Sequence, residues 1–382
     1  MSGLYIHIPF CAKKCIYCDF YSVGVRNVDW ERYINSLIHE LSFRKKELTE
    51  IVHTIYIGGG TPSLMPINQL KRLINTIYDE LSGMLKLEEF TIELNPDDVT
   101  EEFVNALKEI GVTRVSMGVQ SFNDCELDFI KRRHTSEQCR KAYNELSVIG
   151  NVSLDLIFGL PGQSLQSWEK NLDAILELRP QHISAYSLMY EEGTPLYAML
   201  QQGRVREVEE ELSLEMFKLL IDKLKKAGYN HYEISNFALD GYESKHNSSY
   251  WSGMQYLGLG PSAHSYDGNR ARRSNPASVN DYINHYINHY INLPSSDVSF
   301  YEEEILSDMD LYNEYIITRM RRLDGIELHD LKHRFGEKLQ NYFLKQTEKH
   351  IQSGVLLNCD NRIMLSEKGV LISDSIFVNL MY

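Results

Sequence analysis

A chain of 382 residues with 43% hydrophobic and 24% charged side chains is globular in composition, with length for one large α/β domain and a smaller companion. Its 39 basic against 53 acidic residues leave a net charge of −14, which argues against a sequence-independent grip on nucleic acid, since that needs Lys and Arg on the phosphates. No run approaches the ~20 apolar residues of a membrane-crossing helix, and the start reads straight into a strand rather than a secretory leader; a reducing, cytoplasmic setting and at most peripheral membrane contact are expected.

Through residue 239 short β-branched or apolar runs alternate with longer stretches of helical periodicity. Strands are expected near 4–9, 53–58, 89–94, 112–119, 152–158 and 181–188, and helices around 29–47, 67–82, 100–110, 136–149, 165–178 and 206–227. Such alternation builds a doubly wound sheet or a complete or partial (β/α) barrel, and in either case chemistry gathers at the C-terminal ends of the strands. Residues 240–299, rich in Gly, Ser, Asn and Tyr over their first part, read as a loop-rich connecting segment. Within it, the four-residue repetition of 281–290 puts Tyr282, Tyr286 and Tyr290 on one helix face and His285 and His289 on another, at metal-ligand spacing; an inward-packed aromatic stripe is the favoured reading. From 300 to 382 a helical run to 322, helices at 327–335 and 337–353, strands at 354–358 and 362–365 and a last helix suggest an α+β, winged-helix-like domain.

The first strand runs into Cys-Ala-Lys-Lys-Cys-Ile-Tyr-Cys, which places Cys11, Cys15 and Cys18 close together while Cys125, Cys139 and Cys359 stand apart. Three clustered thiolates suit an iron–sulfur cluster, and a four-iron cubane held by three cysteines leaves one iron open to a ligand that is not protein. A zinc site completed by His7, or a disulfide with one spare thiol, is the competing reading; zinc motifs usually show a second pair of ligands further along, which this chain lacks. The second expected strand ends in Gly58-Gly59-Gly60-Thr61-Pro62, where bare backbone can approach a ligand. Glu93, Gln120 and Asp155 fall at or near the ends of the next three strands. A polar group in an apolar strand needs a partner, and a set at successive strand ends favours a shared ligand.

Cys11-x3-Cys15-x2-Cys18 followed by the glycine turn resembles the radical S-adenosylmethionine family. The words Tyr-Ile-His-Ile-Pro-Phe-Cys, Gly-Gly-Gly-Thr-Pro-Ser, Gly-Val-Gln-Ser-Phe and Asp-Leu-Ile-Phe-Gly-Leu-Pro-Gly are similar to those of the oxygen-independent coproporphyrinogen III oxidase group, across nearly the whole chain. The resemblance implies a partial (β/α)6 TIM-like barrel, a [4Fe–4S] cluster on Cys11, Cys15 and Cys18, and S-adenosylmethionine at the open iron. It places Tyr5, Gly59, Gly60, Thr61 and Glu93 around the methionine part, Gln120, Arg132 and Asp155 around the carboxylate and ribose, and Tyr17 on the adenine side. An acid for an ammonium, an arginine for a carboxylate and an amide with an acid for hydroxyls are the residue types those tasks require.

One departure from the oxidase pattern is informative. Oxidases of the group carry a further cysteine two residues after the third, where this chain has Phe20. The word His246-Asn247-Ser248-Ser249-Tyr250-Trp251 is similar to one typical of the haem-chaperone branch, which implies bound haem, a haem-accepting protein and a role for His246 as an axial ligand; a hydrogen-bonded loop histidine is the plainer reading. Two functions therefore stand: a haem carrier with an unidentified acceptor and electron donor, or a radical enzyme converting coproporphyrinogen III to protoporphyrinogen IX.

Overall fold

The computed structural model describes residues 2–25, 28–288 and 300–382. Six parallel strands follow one another in chain and in space: β1 (Ser2–Ile8), β2 (Val52–Gly59), β3 (Leu85–Leu94), β4 (Arg114–Gln120), β5 (Val152–Phe158) and β6 (His182–Ser187). They alternate with helices α1 (Trp30–Arg44), α2 (Ile67–Glu80), α3 (Glu101–Glu109), α4 (Asp124–Phe129), α5 (Ser136–Leu146), α6 (Leu165–Leu178), α7 (Pro195–Gln201) and α8 (Glu210–Lys226). Their starts are capped by side chains: Asp29, Thr100 and Ser164 accept from first-turn N–H groups, and Thr135 with Gln138 forms a capping box.

Strand faces divide cleanly by the period of two. Ile55, Ile57, Phe90, Ile92, Val115, Met117, Leu154 and Leu156 point outward into one continuous apolar core beneath the helices. The alternate positions Thr54, Tyr56, Thr91, Glu93, Arg114, Ser116, Ser153, Asp155, His182 and Ser184 line the concave, inner face. A polar interior of this kind cannot be a packing core; it has to be hydrogen-bonded, hydrated or occupied.

The segment 240–299, expected to be loop-rich, is largely regular in its described part. It contains α9 (Lys245–Trp251), β9 (Gln255–Leu259), β10 (His264–Tyr266), β11 (Ala271–Ser274) and α10 (Val279–Asn288). Beyond β6 lie β7 (Asn230–Glu233) and β8 (Asn236–Ala238), antiparallel, on the far edge. β9 pairs parallel to β1, Tyr5 opposite Gly258, so the strand that leads to the cysteines is flanked on both sides. Gly-rich composition misled here because β9 to β11 are short strands joined by tight turns. Glu40 on α1 locks this segment in place: its fully buried carboxylate accepts from Tyr282 Oη at 2.5 Å, Asn275 Nδ2 at 2.7 Å, Gly260 N at 2.8 Å and Arg44 Nη1 at 2.7 Å. Tyr282 and Tyr286 are buried against α1, the inward stripe; His289 and Tyr290 lie outside the described residues.

The helical run expected from 300 begins instead as a strand, β12 (Glu302–Ile305), antiparallel to β11 with Glu304 opposite Arg272 and Glu303 opposite Arg273. Tertiary pairing overrides the helix-like local pattern. The twelve-stranded order is β12-β11-β10-β9-β1-β2-β3-β4-β5-β6-β8-β7. The last part has its own apolar cluster under α11 (Asp308–Arg321), a three-stranded sheet of β13 (Ile326–Glu327), β14 (Leu356–Cys359) and β15 (Arg362–Leu365), the broken helix α12 (Leu328–Gln352) and the short α13 (Glu367–Val370) and α14 (Ser373–Leu380). α12 is interrupted at Gly336, whose φ of 78° separates the two helices that periodicity indicated. Among the described residues no helix is long and apolar enough to cross a membrane.

Candidate cofactor site

The cysteine loop is held over the strand ends by backbone hydrogen bonds at several points. Gly60 N donates to Ile8 O at 2.8 Å, Val23 N to Pro9 O at 2.7 Å, Val25 N to Cys11 O at 2.9 Å and Leu196 N, at the start of α7, to Ile16 O at 2.9 Å. His7 adds a side-chain tie. Its Nε2 lies 3.0 Å from the Tyr21 carbonyl, which can only accept, so Nε2 carries the proton and Nδ1 accepts from Tyr5 Oη at 2.9 Å. Both nitrogens are thereby engaged and His7 is no fourth ligand for zinc, which corrects that alternative.

Cys11 is buried, Cys15 and Cys18 are half-buried, and none is in a disulfide. Burial raises the Cys18 thiol to about 11, with Cys15 and Cys11 near enough to contribute charge repulsion. Thr61 Oγ1 lies 3.7 Å from Cys11 Sγ and Arg132 Nη1 3.6 Å from Cys15 Sγ, donors suited to thiolate sulfur. Among the described residues no three His, Cys, Asp or Glu side chains converge tightly enough for a single metal ion. A four-iron cluster does not need that convergence, because each thiolate binds a different iron. The donor set of three loop thiols, with no fourth cysteine near in sequence, fits a cubane with one open iron.

The glycine turn is shaped by contact. Gly59 has a φ of 114°, and a Cβ on Gly60 would stand 2.7 Å from Phe10 O and 2.9 Å from Ile8 O, so side-chain-free backbone is what lets β2 pass beneath the cysteine loop. This exposes the Gly59 amide to Glu93, whose Oε2 accepts from it at 3.0 Å while Oε1 accepts from Tyr56 Oη at 2.6 Å. Burial drives the Glu93 carboxyl up to about 7, countered by those two hydrogen bonds. An acid on this balance gains most from a cationic partner such as an ammonium. Asp155 is also raised by burial, countered by Ser184, Arg114 and Ser116; both its oxygens lie 3.3 Å from Ser116 Oγ.

Gln120 ends β4 with a left-handed φ of 66°, beside a register shift against β5; non-glycine residues hold this conformation where surroundings impose it, often at functional positions. Arg132 is anchored rather than free: its Nη2 donates to Asn95 Oδ1 and the Gly118 carbonyl. Tyr17 packs into a small apolar cluster with Ile130, Ile157 and Leu160. Thus Tyr5, Tyr17, Gly59, Gly60, Thr61, Glu93, Gln120, Arg132 and Asp155 gather at the C-terminal ends and inner face of one sheet, with the three cysteines above. Sequence reasoning missed Tyr56, Asn95, Ser116 and Ser184. For Tyr56, Ser116 and Ser184 the signal was present as polar residues at every second position of otherwise apolar strands, and Asn95 continues that spacing one residue past β3.

His246 lies elsewhere. It is only 1% exposed, on α9 beneath the first half of β2, with Nδ1 2.8 Å from Thr54 Oγ1, Nε2 2.9 Å from Tyr250 Oη and its ring stacked on Tyr56 at 5.0 Å. Burial lowers its pKa to about 3. Glu89 caps the same helix, accepting from the backbone N–H groups of Lys245 at 2.8 Å and His246 at 3.0 Å, and Arg321 lies over the Trp251 ring at 5.0 Å. Both ring nitrogens are engaged within the protein, which favours the plainer reading of a hydrogen-bonded histidine over an axial ligand. The His-Asn-x-x-Tyr-Trp word is a junction that joins the barrel floor to α11.

The Radical SAM superfamily matches residues 5–175 and the HemN C-terminal domain residues 306–372. The chain is 35% identical to Heme chaperone HemW of Lactococcus lactis over 98% of its own length and 96% of that relative, and 36% identical to Heme chaperone HemW of Bacillus subtilis over 99% and 98%. Radical S-adenosyl methionine domain-containing protein 1, mitochondrial, of Danio rerio is 30% identical, covering 100% of this chain and 87% of that one. Coproporphyrinogen III oxidase (HemN) from Escherichia coli superposes with a TM-score of 0.82 over 100% of this chain and 90% of that one, at 21% identity, a shared fold.

Proposed function

The chain belongs to the HemW family within the radical S-adenosylmethionine superfamily, and we propose that it is a haem chaperone, binding haem and passing it to an acceptor haemoprotein. The observation that carries this reading is end-to-end likeness to relatives named for that role, together with Phe20, 66% exposed, standing where the oxidases of the group have their further cysteine. Phe20 on the cysteine loop, Tyr186 near the end of β6 and Met189 just beyond it are large exposed apolar groups, a surface on which a flat macrocycle can lie.

In this reading Cys11, Cys15 and Cys18 hold the [4Fe–4S] cluster, and Tyr5, Gly59, Gly60, Thr61, Glu93, Gln120, Arg132, Asp155 and Tyr17 receive S-adenosylmethionine. Bound together, these groups supply one-electron reductive cleavage of a sulfonium. The protein's own part is electrostatic and positional. Glu93, kept near neutrality by burial, takes the ammonium; Arg132, fixed on Asn95 and Gly118, offers its remaining donors to a carboxylate; Thr61 and Arg132 steady the thiolates. Three uncrosslinked thiols beside one another suit the reducing cytoplasm. The acceptor and the electron donor are proteins still to be found.

Retention of the complete set of cofactor residues keeps coproporphyrinogen III oxidation as the competing activity. Anaerobic reconstitution with iron and sulfide, followed by haem titration and a coproporphyrinogen turnover assay on the same sample, separates the two. Haem retention without turnover is expected; turnover without stoichiometric haem binding overturns the chaperone reading.

A further inference from the structure

Arg132 belongs to a run of cationic residues that follows α4. The chain turns there through Lys131, whose φ of 64° is left-handed, a conformation that a non-glycine residue keeps where its surroundings impose it. What imposes it is a set of side-chain anchors at neighbouring strand ends. Arg132 Nη2 donates to the Gly118 carbonyl of β4 and to Asn95 Oδ1, just past β3. His134 Nε2 lies 3.0 Å from the Val119 carbonyl. Arg133 reaches over the 3-10 turn Pro96–Asp98: its Nη2 lies 3.0 and 3.1 Å from the oxygens of Asp98 and 3.1 Å from Asp97 Oδ2. Asp98 in turn accepts from Ser63 Oγ at 2.7 Å, and Asn95 N donates to the same Ser63 Oγ at 3.3 Å. Ser63 stands just past the glycine turn, so the ends of β2, β3 and β4 are tied together behind the cofactor residues.

The charges in this knot are shared unequally. Arg133 holds ion pairs with both Asp97 and Asp98, whereas Arg132 holds none among the described residues. Burial works against the Arg132 charge, and Tyr17, Cys15 and Asp97 support it, so the two arginines draw on the same acid. Asp97 Oδ1 and Arg132 Nε, opposite in sign, are each buried without a hydrogen-bond partner among the described residues. Such groups pair when they can, because each unmet one carries a desolvation cost. Arg132 is instead held on an amide and a carbonyl, neutral acceptors that fix the guanidinium and leave its charge unspent. Its Nη1 lies 3.6 Å from Cys15 Sγ, at the rim of the cluster loop.

We infer that Arg133 is a positioning residue for the cofactor: by engaging Asp97 and Asp98 it keeps Arg132 on Gly118 and Asn95, with its charge free for the carboxylate of S-adenosylmethionine. The inference rests on reading Arg132 as the seat of that carboxylate. Without Arg133, two acids face each other uncompensated and the Arg132 guanidinium is drawn toward Asp97 Oδ1, off its seat. The hydrogen bonds and ion pairs of Arg133 reach no cysteine and no residue assigned to S-adenosylmethionine, so its removal deletes no cofactor contact.

The test titrates S-adenosylmethionine and its decarboxylated analogue into the full-length, anaerobically reconstituted protein as wild type, Arg132→Met, Arg133→Met, Arg133→Lys, and Arg133→Met combined with Asp97→Asn and Asp98→Asn. Arg133→Met is expected to weaken S-adenosylmethionine about tenfold and leave the analogue unchanged. Arg133→Lys, which meets the acids as a point charge, loses less. The combined variant, with no acids left to draw Arg132 away, recovers most of the affinity. Equal loss of both ligands, no recovery in the combined variant, or unchanged S-adenosylmethionine binding in Arg133→Met overturns the inference. Should Arg133→Met fail to fold, Arg133→Lys carries the comparison, a loss confined to S-adenosylmethionine supporting the role and a loss of both ligands overturning it. If Arg132→Met keeps the wild-type preference for S-adenosylmethionine over the analogue, the carboxylate reading of Arg132 fails, and its position is read at Cys15 instead. An electron paramagnetic resonance spectrum of the reduced cluster that changes in Arg133→Met and reverts in the combined variant then keeps the positioning role; identical spectra remove it.

Discussion

Replacing His246 by Ala separates a structural from a ligand role at the position where sequence and structure disagree. The substitution deletes hydrogen bonds to Thr54 Oγ1 and Tyr250 Oη and the stack on Tyr56. Each lost bond is worth about 1 kcal/mol net, and the two hydroxyls are left buried among groups that cannot easily replace the imidazole. With the void left by the ring, the total cost is about 3 kcal/mol, or roughly 5 °C in melting temperature for a chain of this size. Because α9 also carries Trp251 against Arg321, the loss should loosen the attachment of α11 as well. The assay is thermal unfolding of apo wild type, His246→Ala and His246→Gln, with haem titration performed well below the transition. Lower stability with unchanged haem affinity, partly rescued by Gln, is expected. Unchanged melting with abolished haem binding would refute the buried-pin account and return the imidazole to the iron.

Gly60→Ala should expel the cysteine loop, since its Cβ meets backbone atoms of Ile8 and Phe10 at under 3 Å; iron bound per chain falls sharply, at a cost of about 2 kcal/mol, whereas Gly24→Ala, with nothing within 4 Å, retains full iron. Glu93 has a folded pKa raised to about 7 from 4.5, so it favours folding below the unfolded value and that contribution is lost as pH rises through about 7. Wild type should accordingly lose up to about 3 kcal/mol relative to Glu93→Gln between pH 5 and pH 8, read by urea unfolding. S-adenosylmethionine binding, which needs the ionised acid, should move the opposite way, about tenfold weaker at pH 6 than at pH 8 in wild type and flat in the variant. Tyr282→Phe removes a 2.5 Å hydrogen bond to buried Glu40 and should cost about 2 kcal/mol without altering iron content; loss of iron would show that the Glu40 lock supports the cluster directly.

The legible part of this molecule is what periodicity and local chemistry encode. All six strands of the βα series appear where alternation put them, and the cysteine word, the glycine turn and the acids at strand ends come together on one face. What escaped notice depends on distant pairing. β9 is five residues in a glycine-rich stretch and becomes a strand because β1 offers it an edge; Glu302–Ile305 becomes one because Arg272 and Arg273 face its acids. His246 looked like a ligand because a histidine between aromatics has the same spelling whether it meets iron or Thr54.

The flanking of β1 by both β2 and β9 also has a consequence for biosynthesis. While the chain is being made, β1 can pair with β2 early, but its other edge stays bare until the region around Gly258 has emerged and Glu40 has received Tyr282. Closure of the barrel is thus a long-range, late event in folding. The thiols of Cys11, Cys15 and Cys18 remain on an unfinished platform for most of synthesis, so metal loading belongs after translation, and a nascent chain meeting oxygen in that interval would be exposed at the very residues on which its later work depends.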